Sequence, residues 1–192
     1  MKCFAPWHSI LVRFNGDIVP DGVYLKRYGN VLQTPLNDLL NSYTASYTRD
    51  SIRSGVLPPE CEQCALKEAS VGHSRRKFFE DILNPMLKDK EYDYSKNFTD
   101  IYFLEFNMSN ICNLKCRMCD GINSSAWVKD DLKLAQNGNP YFRRTDDPEF
   151  GYTNKSEQII EKLFEDPTPF MNLRYLSIKG GEPYMEPANK KI

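Results

Sequence analysis

Apolar positions early in the chain come in short runs separated by a polar turn. Ser9-Ile10-Leu11-Val12-Arg13-Phe14 and Ile18-Val19-Pro20 are built from strand formers and flank Asn15-Gly16-Asp17, a turn signal. They predict a hairpin within residues 1–22, with Cys3 just before it and Asp21 just after it. Thr34-Pro35-Leu36-Asn37-Asp38-Leu39-Leu40 predicts a helix with Thr34 as its cap and Pro35 at its first position. A further helix through Ser51-Ile52-Arg53 is expected to end near Gly55. Residues 65–90 read as helical in parts, interrupted at Asn84-Pro85, and residues 91–99 read as a polar, aromatic link. These elements divide the chain into two expected units, residues 1–95 and 96–192.

The second unit opens with Asp100-Ile101-Tyr102-Phe103-Leu104-Glu105-Phe106-Asn107-Met108. Its run from Ile101 to Leu104 is nearly continuous apolar sequence, as in a strand covered on both faces. A helix is expected from Ser124-Ser125-Ala126-Trp127 to about Gln136, broken by Asn137-Gly138-Asn139-Pro140. Residues 141–153 look irregular. Asn154 or Ser156 is expected to cap another helix, in which Ile159, Ile160, Leu163 and Phe164 share one face. Leu173 to Ile178 is the next strand, followed by Lys179-Gly180-Gly181-Glu182-Pro183. Strand, loop, helix and strand in this order form a βα unit feeding a parallel sheet. The expected fold class is α/β.

The 192 residues are 41% hydrophobic, enough for one ordinary domain or two small ones. Lys and Arg number 25 and Asp and Glu 26, a net charge of −1, which excludes a strongly basic nucleic-acid binder and an acidic tail. Eleven Tyr and eleven Phe argue against disorder. No stretch reaches the roughly 18 apolar residues of a membrane helix, and the N-terminus has no signal-peptide core. The expectation is a cytoplasmic chain with neither membrane nor nucleic-acid partners.

Composition leaves six cysteines to account for: Cys3, Cys61, Cys64, Cys112, Cys116 and Cys119. In a reducing compartment, five thiols in two tight clusters point to metal or iron–sulfur ligation rather than disulfides. Cys112, Cys116 and Cys119 follow the spacing C-x3-C-x2-C. Three thiolates on one loop suit three corners of a [4Fe–4S] cluster and leave the fourth iron open. Structural zinc with a distant fourth ligand is the alternative. The loop follows a buried strand and precedes a helix, the rim where parallel α/β folds bind ligands. Gly180-Gly181-Glu182-Pro183, at the end of the next parallel strand, belongs on the same rim. Its glycines let backbone approach a ligand closely, and Glu182 can accept from an ammonium group.

Together these residues resemble the radical S-adenosylmethionine (radical SAM) superfamily. The resemblance implies that Cys112, Cys116 and Cys119 ligate a [4Fe–4S] cluster whose open iron is chelated by S-adenosyl-L-methionine. It further implies that Met118 packs near the adenine and that Gly180, Gly181 and Glu182 hold the methionyl amino group. The family cleaves the S–C5′ bond to make a 5′-deoxyadenosyl radical that abstracts hydrogen from a substrate, and the cofactors carry that chemistry. The implied core is the first βα units of a partial TIM barrel. Such a barrel has further strands after Pro183, so the resemblance implies a fragment, a truncated gene or one half of a split enzyme.

A second resemblance covers most of residues 1–80. Cys3-x-x-Pro6-Trp7, the Asn15-Gly16 hairpin with Pro20, Gly29-Asn30, Arg53-x-Gly55 and Cys61-x2-Cys64 look like a SPASM or twitch domain, which holds auxiliary iron–sulfur clusters in radical enzymes. The family typically has a cysteine after the hairpin proline, where this chain has Asp21-Gly22. The implied auxiliary site therefore has Cys3, Cys61 and Cys64, with Asp21 as the candidate oxygen ligand; an open iron or a lost cluster are the other readings. A small zinc site or inert thiols is the reading without the resemblance.

Two histidines, His8 and His73, are present, and His73 lies nearer the CxxC pair. Arg75, Arg76 and Lys77 read as a solvated basic helix face, with substrate-anion binding as the alternative, and Trp127 as packing against the cysteine loop or the barrel. The expected activity is that of a radical SAM enzyme served by a reductant such as flavodoxin or ferredoxin. A peptide or protein is the substrate class that the SPASM analogy suggests, and a chain supplying the further barrel strands is an expected partner. The contrasting expectation is a non-catalytic iron–sulfur or zinc-binding scaffold protein.

Overall fold

The computed structural model describes residues 3–24, 26–85, 100–137 and 155–192. A short helix, α1 (Ala5–His8), leads directly into β1 (Ser9–Arg13). β1 turns at Asn15-Gly16 into β2 (Asp17–Val19), with Gly16 N–H donating to the Arg13 carbonyl at 2.8 Å. The predicted hairpin is therefore present. Buried Asp17 locks it by accepting from Asn15, Arg27 and Asn30. β3 (Gly29–Asn30) adds an antiparallel edge.

α2 (Leu36–Leu40) starts one residue later than the sequence suggests. Pro35, at ψ 145°, occupies the cap position instead of the first helical turn, and no side chain caps the helix. α3 (Tyr43–Arg53) is capped by Ser42, which accepts from Ala45 N–H. It stops before Gly55, as expected. α4 (Glu62–Val71) and α5 (Arg75–Leu83) account for the helical reading up to residue 85, and residues 86–90 of that reading lie outside the described residues. Ser74 caps α5, which ends at Asn84.

The second segment contributes β4 (Phe103–Asn107), α6 (Val128–Gln136), α7 (Ser156–Leu163) and β5 (Tyr175–Lys179). Ser156 does not cap α7. It lies within the first turn, and its hydroxyl donates to the Met108 carbonyl at 3.0 Å, tying the helix to the end of β4. Asn154, the reading of 141–153 as irregular, the link at 91–99 and the unit boundary after residue 95 lie outside the described residues.

The five strands form one sheet in the order β3-β2-β1-β4-β5. β1 and β4 pair in parallel, with Ser9 opposite Phe103 and Val12 opposite Phe106, and β4 and β5 pair in parallel. The fold is mixed α/β, and a single sheet draws strands from both segments. Alternation sorts the side chains onto two faces. Ile10, Val12, Leu104 and Phe106 pack with Leu36, Leu39 and Leu40 of α2 and with Ile159, Ile160 and Leu163 of α7. Phe103 faces the other way, against Phe4, Ala5, Phe79 and Leu83. Glu105 shares that second face and is buried. It is paired to Arg75 of α5 at 2.8 Å and to Lys179 of β5 at 2.9 Å. β5 is the edge of the sheet among the described residues. Its Tyr175 and Leu176 are about two-fifths exposed. Among the described residues no helix is long and apolar enough to cross a membrane.

Candidate cluster sites

The loop after β4 carries Cys112, Cys116 and Cys119, and it is held from below by the segment that opens α6. The Ser125 hydroxyl accepts from Cys112 N–H at 3.2 Å and donates to the Cys112 carbonyl at 2.9 Å. The Ser124 hydroxyl donates to the Leu114 carbonyl at 2.6 Å, and the Trp127 indole N–H donates to the Cys116 carbonyl at 3.1 Å. Trp127 thus meets the loop, as expected, through a directed bond. Lys115 pairs with Asp130, and buried Asn110 donates to the Gly121 carbonyl at 2.7 Å. Buried Asp131 accepts from Gly121 N–H. The loop backbone is therefore specified by polar contacts, and its thiols face different environments. Cys112 is buried and accepts from Leu114 N–H at 3.3 Å, whereas Cys116 is exposed. Burial raises the Cys119 thiol, and the neighbouring charges of Cys116, Asp120 and Cys112 raise it further.

The β4–β5 pairing carries on past both strands. Gly181 N–H donates to the Ser109 carbonyl at 2.9 Å and Glu182 N–H to the Ile111 carbonyl at 2.8 Å. Gly180 has φ 126°, and a Cβ there would lie 2.5 Å from Ser109 O. A Cβ on Gly181 would collide with Ile111 O. The glycines are expected to let backbone approach a ligand; what they closely approach is the backbone of the cysteine loop. Glu182 caps the following turn by accepting from Tyr184 N–H at 3.2 Å. Met118, Leu114 and Tyr184 project from this rim, with Met118 92% and Tyr184 93% exposed.

The N-terminal cysteines form a more enclosed set. Cys3 precedes α1, and Cys61 and Cys64 lie where a 3₁₀ turn, Pro59–Cys61, runs into α4. Burial pushes the Cys3 thiol far up, opposed by a hydrogen bond with the Ala5 backbone and reinforced by the charges of Asp21, Cys61 and Cys64. Burial likewise pushes Cys61 up to about 12, with Cys64, Asp21 and Glu60 adding. Asp21 is buried. One of its carboxylate oxygens accepts from Val23 N–H at 2.6 Å and Tyr24 N–H at 2.9 Å. Burial raises its pKa, while those amides and the Arg75 charge pull it down. Stacked on Tyr102, buried His8 is bonded through Nδ1 to the Asp100 carbonyl at 2.9 Å, and burial lowers its pKa. His73 is exposed.

Among the described residues no three His, Cys, Asp or Glu side chains converge in metal-binding geometry. Within each set the thiols act on one another's charge without meeting at a point. The donors nevertheless suit an iron–sulfur cluster, since each set offers three soft sulfur ligands. Glu60, next to Cys61 in the chain, has a buried Oε2 with no hydrogen-bond partner, the kind of orphan that a polar group bound there would satisfy.

Arg75, Arg76 and Lys77 are not a solvated face. Arg75 is paired to buried Glu105, Arg76 to Glu68, and Lys77 donates to the Gly72 carbonyl. Sequence reasoning misses the roles of Ser124, Ser125, Asn110 and Asp131 in shaping the cysteine loop. The Ser124-Ser125 pair ahead of a helix is the one signal pointing to a loop anchor.

Residues 3–65 match the model of the SPASM iron–sulfur cluster-binding domain. That match contains Cys3, Asp21, Tyr28, Cys61 and Cys64, ends within α4, and implies cluster binding by the N-terminal segment. No curated protein and no solved structure matches the chain.

Proposed function

We propose that the protein is a radical S-adenosyl-L-methionine enzyme, or the part of one that carries its cofactor-binding elements. In this reading Cys112, Cys116 and Cys119 hold a [4Fe–4S] cluster. Met118, Gly180, Gly181 and Glu182 bind S-adenosyl-L-methionine, and Cys3, Cys61 and Cys64, with Asp21, hold an auxiliary cluster. The bound cluster and cofactor supply reductive S–C5′ cleavage and a 5′-deoxyadenosyl radical. The chain's own part is to hold and shield them. Ser124, Ser125 and Trp127 keep the cysteine loop in register, and the two glycines let the methionyl-binding segment lie directly on that loop.

The observation that carries this reading is the continued parallel pairing past β4 and β5. It brings Gly181 and Glu182 within hydrogen-bond distance of the cysteine loop. The SPASM match supports it from the other end of the chain. The β5 edge, with Tyr175 and Leu176 partly exposed, is where further barrel strands would pair, in the same chain or from a second one. Flavodoxin or ferredoxin is the proposed reductant and a peptide or protein the proposed substrate.

The test is anaerobic reconstitution followed by electron paramagnetic resonance of the reduced protein. Alanine at Cys112, Cys116 and Cys119 should remove about four irons and one [4Fe–4S] signal. With S-adenosyl-L-methionine and a strong reductant, the intact protein should form 5′-deoxyadenosine, more so when further barrel strands are supplied. Stoichiometric zinc without iron after anaerobic purification would overturn the reading in favour of a zinc-binding scaffold.

A further inference from the structure

The three parallel strands end in one transverse row. Arg13 of β1 stands opposite Asn107 of β4, and Asn107 opposite Lys179 of β5. Alternation puts this row on the face of Phe103 and Glu105, the one that α2 and α7 leave uncovered. α5 covers the beginning of that face, with Phe79 and Leu83 against Phe103 and Arg75 reaching Glu105. The row itself is open: Arg13 and Asn107 are half-buried and Lys179 is exposed.

Charge on this face does not balance. Arg13, Arg75 and Lys179 are cations, and Glu105 is the acid that Arg75 and Lys179 share. Asp21 is the nearby second acid. Its neighbour Gly22 lies against Glu105, where a Cβ would be 3.6 Å from Oε1. Asp21 is buried and held by two backbone amides, and counting it as fully charged still leaves a positive charge over. That surplus is Arg13, whose guanidinium has no partner among the described residues. The Asn107 side chain has none either, and its Oδ1 is 3.3 Å from where a Cβ on Gly180 would sit. Lys179 is paired yet can be lent. If its half-exposed ammonium turns to a ligand, Glu105 keeps Arg75 and no buried charge is stranded.

Adjacent strands lie roughly 4.8 Å apart, so Arg13 and Lys179 flank Asn107 at about 10 Å from each other, and their long side chains can converge over it. A free guanidinium fork, an amide donor and a second cation fit a carboxylate. The row also lies at the strand ends where parallel sheets bind ligands, and the cysteine loop leaves from the same end of β4.

We infer that Arg13, Asn107 and Lys179 bind a side-chain carboxylate of the substrate, which is then a peptide or protein segment carrying Glu or Asp beside the reacting position. The inference rests on the proposed function in calling the ligand a substrate; the anion site itself needs neither cluster nor cofactor.

The experiment titrates the full chain, after anaerobic reconstitution, with acetyl-Gly-Glu-Gly-amide and acetyl-Gly-Gln-Gly-amide. Both ends are capped, so the side-chain charge is the difference between the two probes. Binding is read from nuclear magnetic resonance of the peptides. The glutamyl peptide should bind several-fold tighter, and the preference should fade as salt is added. Arg13→Gln should abolish the preference, and Arg13→Lys, which keeps the charge without the fork, should retain part of it. Lys67→Gln makes the same change of charge on the exposed surface of α4 and should leave the preference intact. Equal affinities for the two peptides, or a preference that survives Arg13→Gln, would overturn the inference. Displacement of the glutamyl peptide by S-adenosyl-L-methionine would also overturn it, by giving the row to the methionyl carboxylate. A preference that persists in a chain unable to form a [4Fe–4S] cluster would uphold the anion site while the radical reading falls.

Discussion

Replacing Glu105 tests whether one buried carboxylate fastens α5 to the sheet. Its side chain is 4% exposed and is held by Arg75 at 2.8 Å and Lys179 at 2.9 Å. The two cations differ in how much they depend on it. The Arg75 guanidinium lies over the rings of Phe78, Phe79 and Phe103 at 4.6, 4.7 and 5.5 Å, and its side chain is 19% exposed. The Lys179 side chain is 54% exposed and can turn to water. Glu105→Ala strands Arg75 among aromatic rings without its counter-charge. Removing one partner of a buried pair costs about 3–5 kcal/mol, and the residual exposure of Arg75 places this case near the lower end. At roughly 2–4 °C per kcal/mol for a chain of this size, the thermal midpoint should fall by about 6–12 °C. Lys179→Ala breaks a half-exposed pair and should cost about 0–1 kcal/mol. Arg75→Ala combined with Glu105→Ala should cost less than the sum of the singles, by about 1–3 kcal/mol. The assay is urea unfolding followed by circular dichroism on the parent and these variants. Equal losses for Glu105→Ala and Lys179→Ala, or strict additivity of the Arg75 and Glu105 changes, would refute the reasoning.

Gly181→Ala drives a methyl group into the Ile111 carbonyl oxygen and places it 2.7 Å from the Asn110 carbonyl carbon. Both are backbone atoms, so the cysteine loop must shift at a cost of about 1–3 kcal/mol. Iron analysis after reconstitution should show loss at Cys112, Cys116 and Cys119 with the N-terminal iron retained, and full occupancy of both sites would count against the contact. Burial holds His8 neutral in the fold, whereas in the unfolded chain it takes up a proton near pH 6.5. The unfolded state then binds more protons, so stability present above about pH 6.5 should be lost as the pH falls towards the lowered folded pKa. Urea midpoints at pH 7.5 and 5.5 should differ less in His8→Gln than in the parent, and an unchanged difference would exclude His8 as the cause.

The local punctuation of this chain is legible in its residues alone. Asn15-Gly16 places the hairpin, Gly55 and Asn84 the helix ends, and the βα order the parallel pairing of β4 with β5. The junction of β1 with β4 is not legible, because parallel pairing between distant segments has no turn to announce it and is decided by packing on two faces. At the start of α2 the fixed φ of Pro35 suits a first helical turn, but its ψ of 145° keeps it outside the helix. The basic run misleads for a related reason. Glu105 looks like one polar residue in an apolar strand, yet a buried carboxylate needs a cation brought to it, and Arg75 is that cation. The cysteine spacing indicates a loop capable of holding a cluster. The serine, indole and glycine contacts that shape the loop depend on groups meeting across elements, which spacing does not encode.

The β1–β4 pairing also sets an order of events during synthesis. His8 and the carbonyl it binds, at Asp100, are 92 residues apart in the chain, and the strand that completes the ladder of β1 follows that carbonyl. At a synthesis rate of about 5–20 residues per second, β1 emerges and waits roughly 5–20 s for β4 to be made. Through that interval Ile10, Leu11 and Val12, all buried in the finished fold, have the short β2 as their only strand partner. The nascent chain thus passes through a stage in which its earliest strand is sticky and half-paired, and the N-terminal cysteines are being assembled in the same period. Any association of the exposed face of β1 with another chain is therefore favoured in that window, before the second half of the sheet exists.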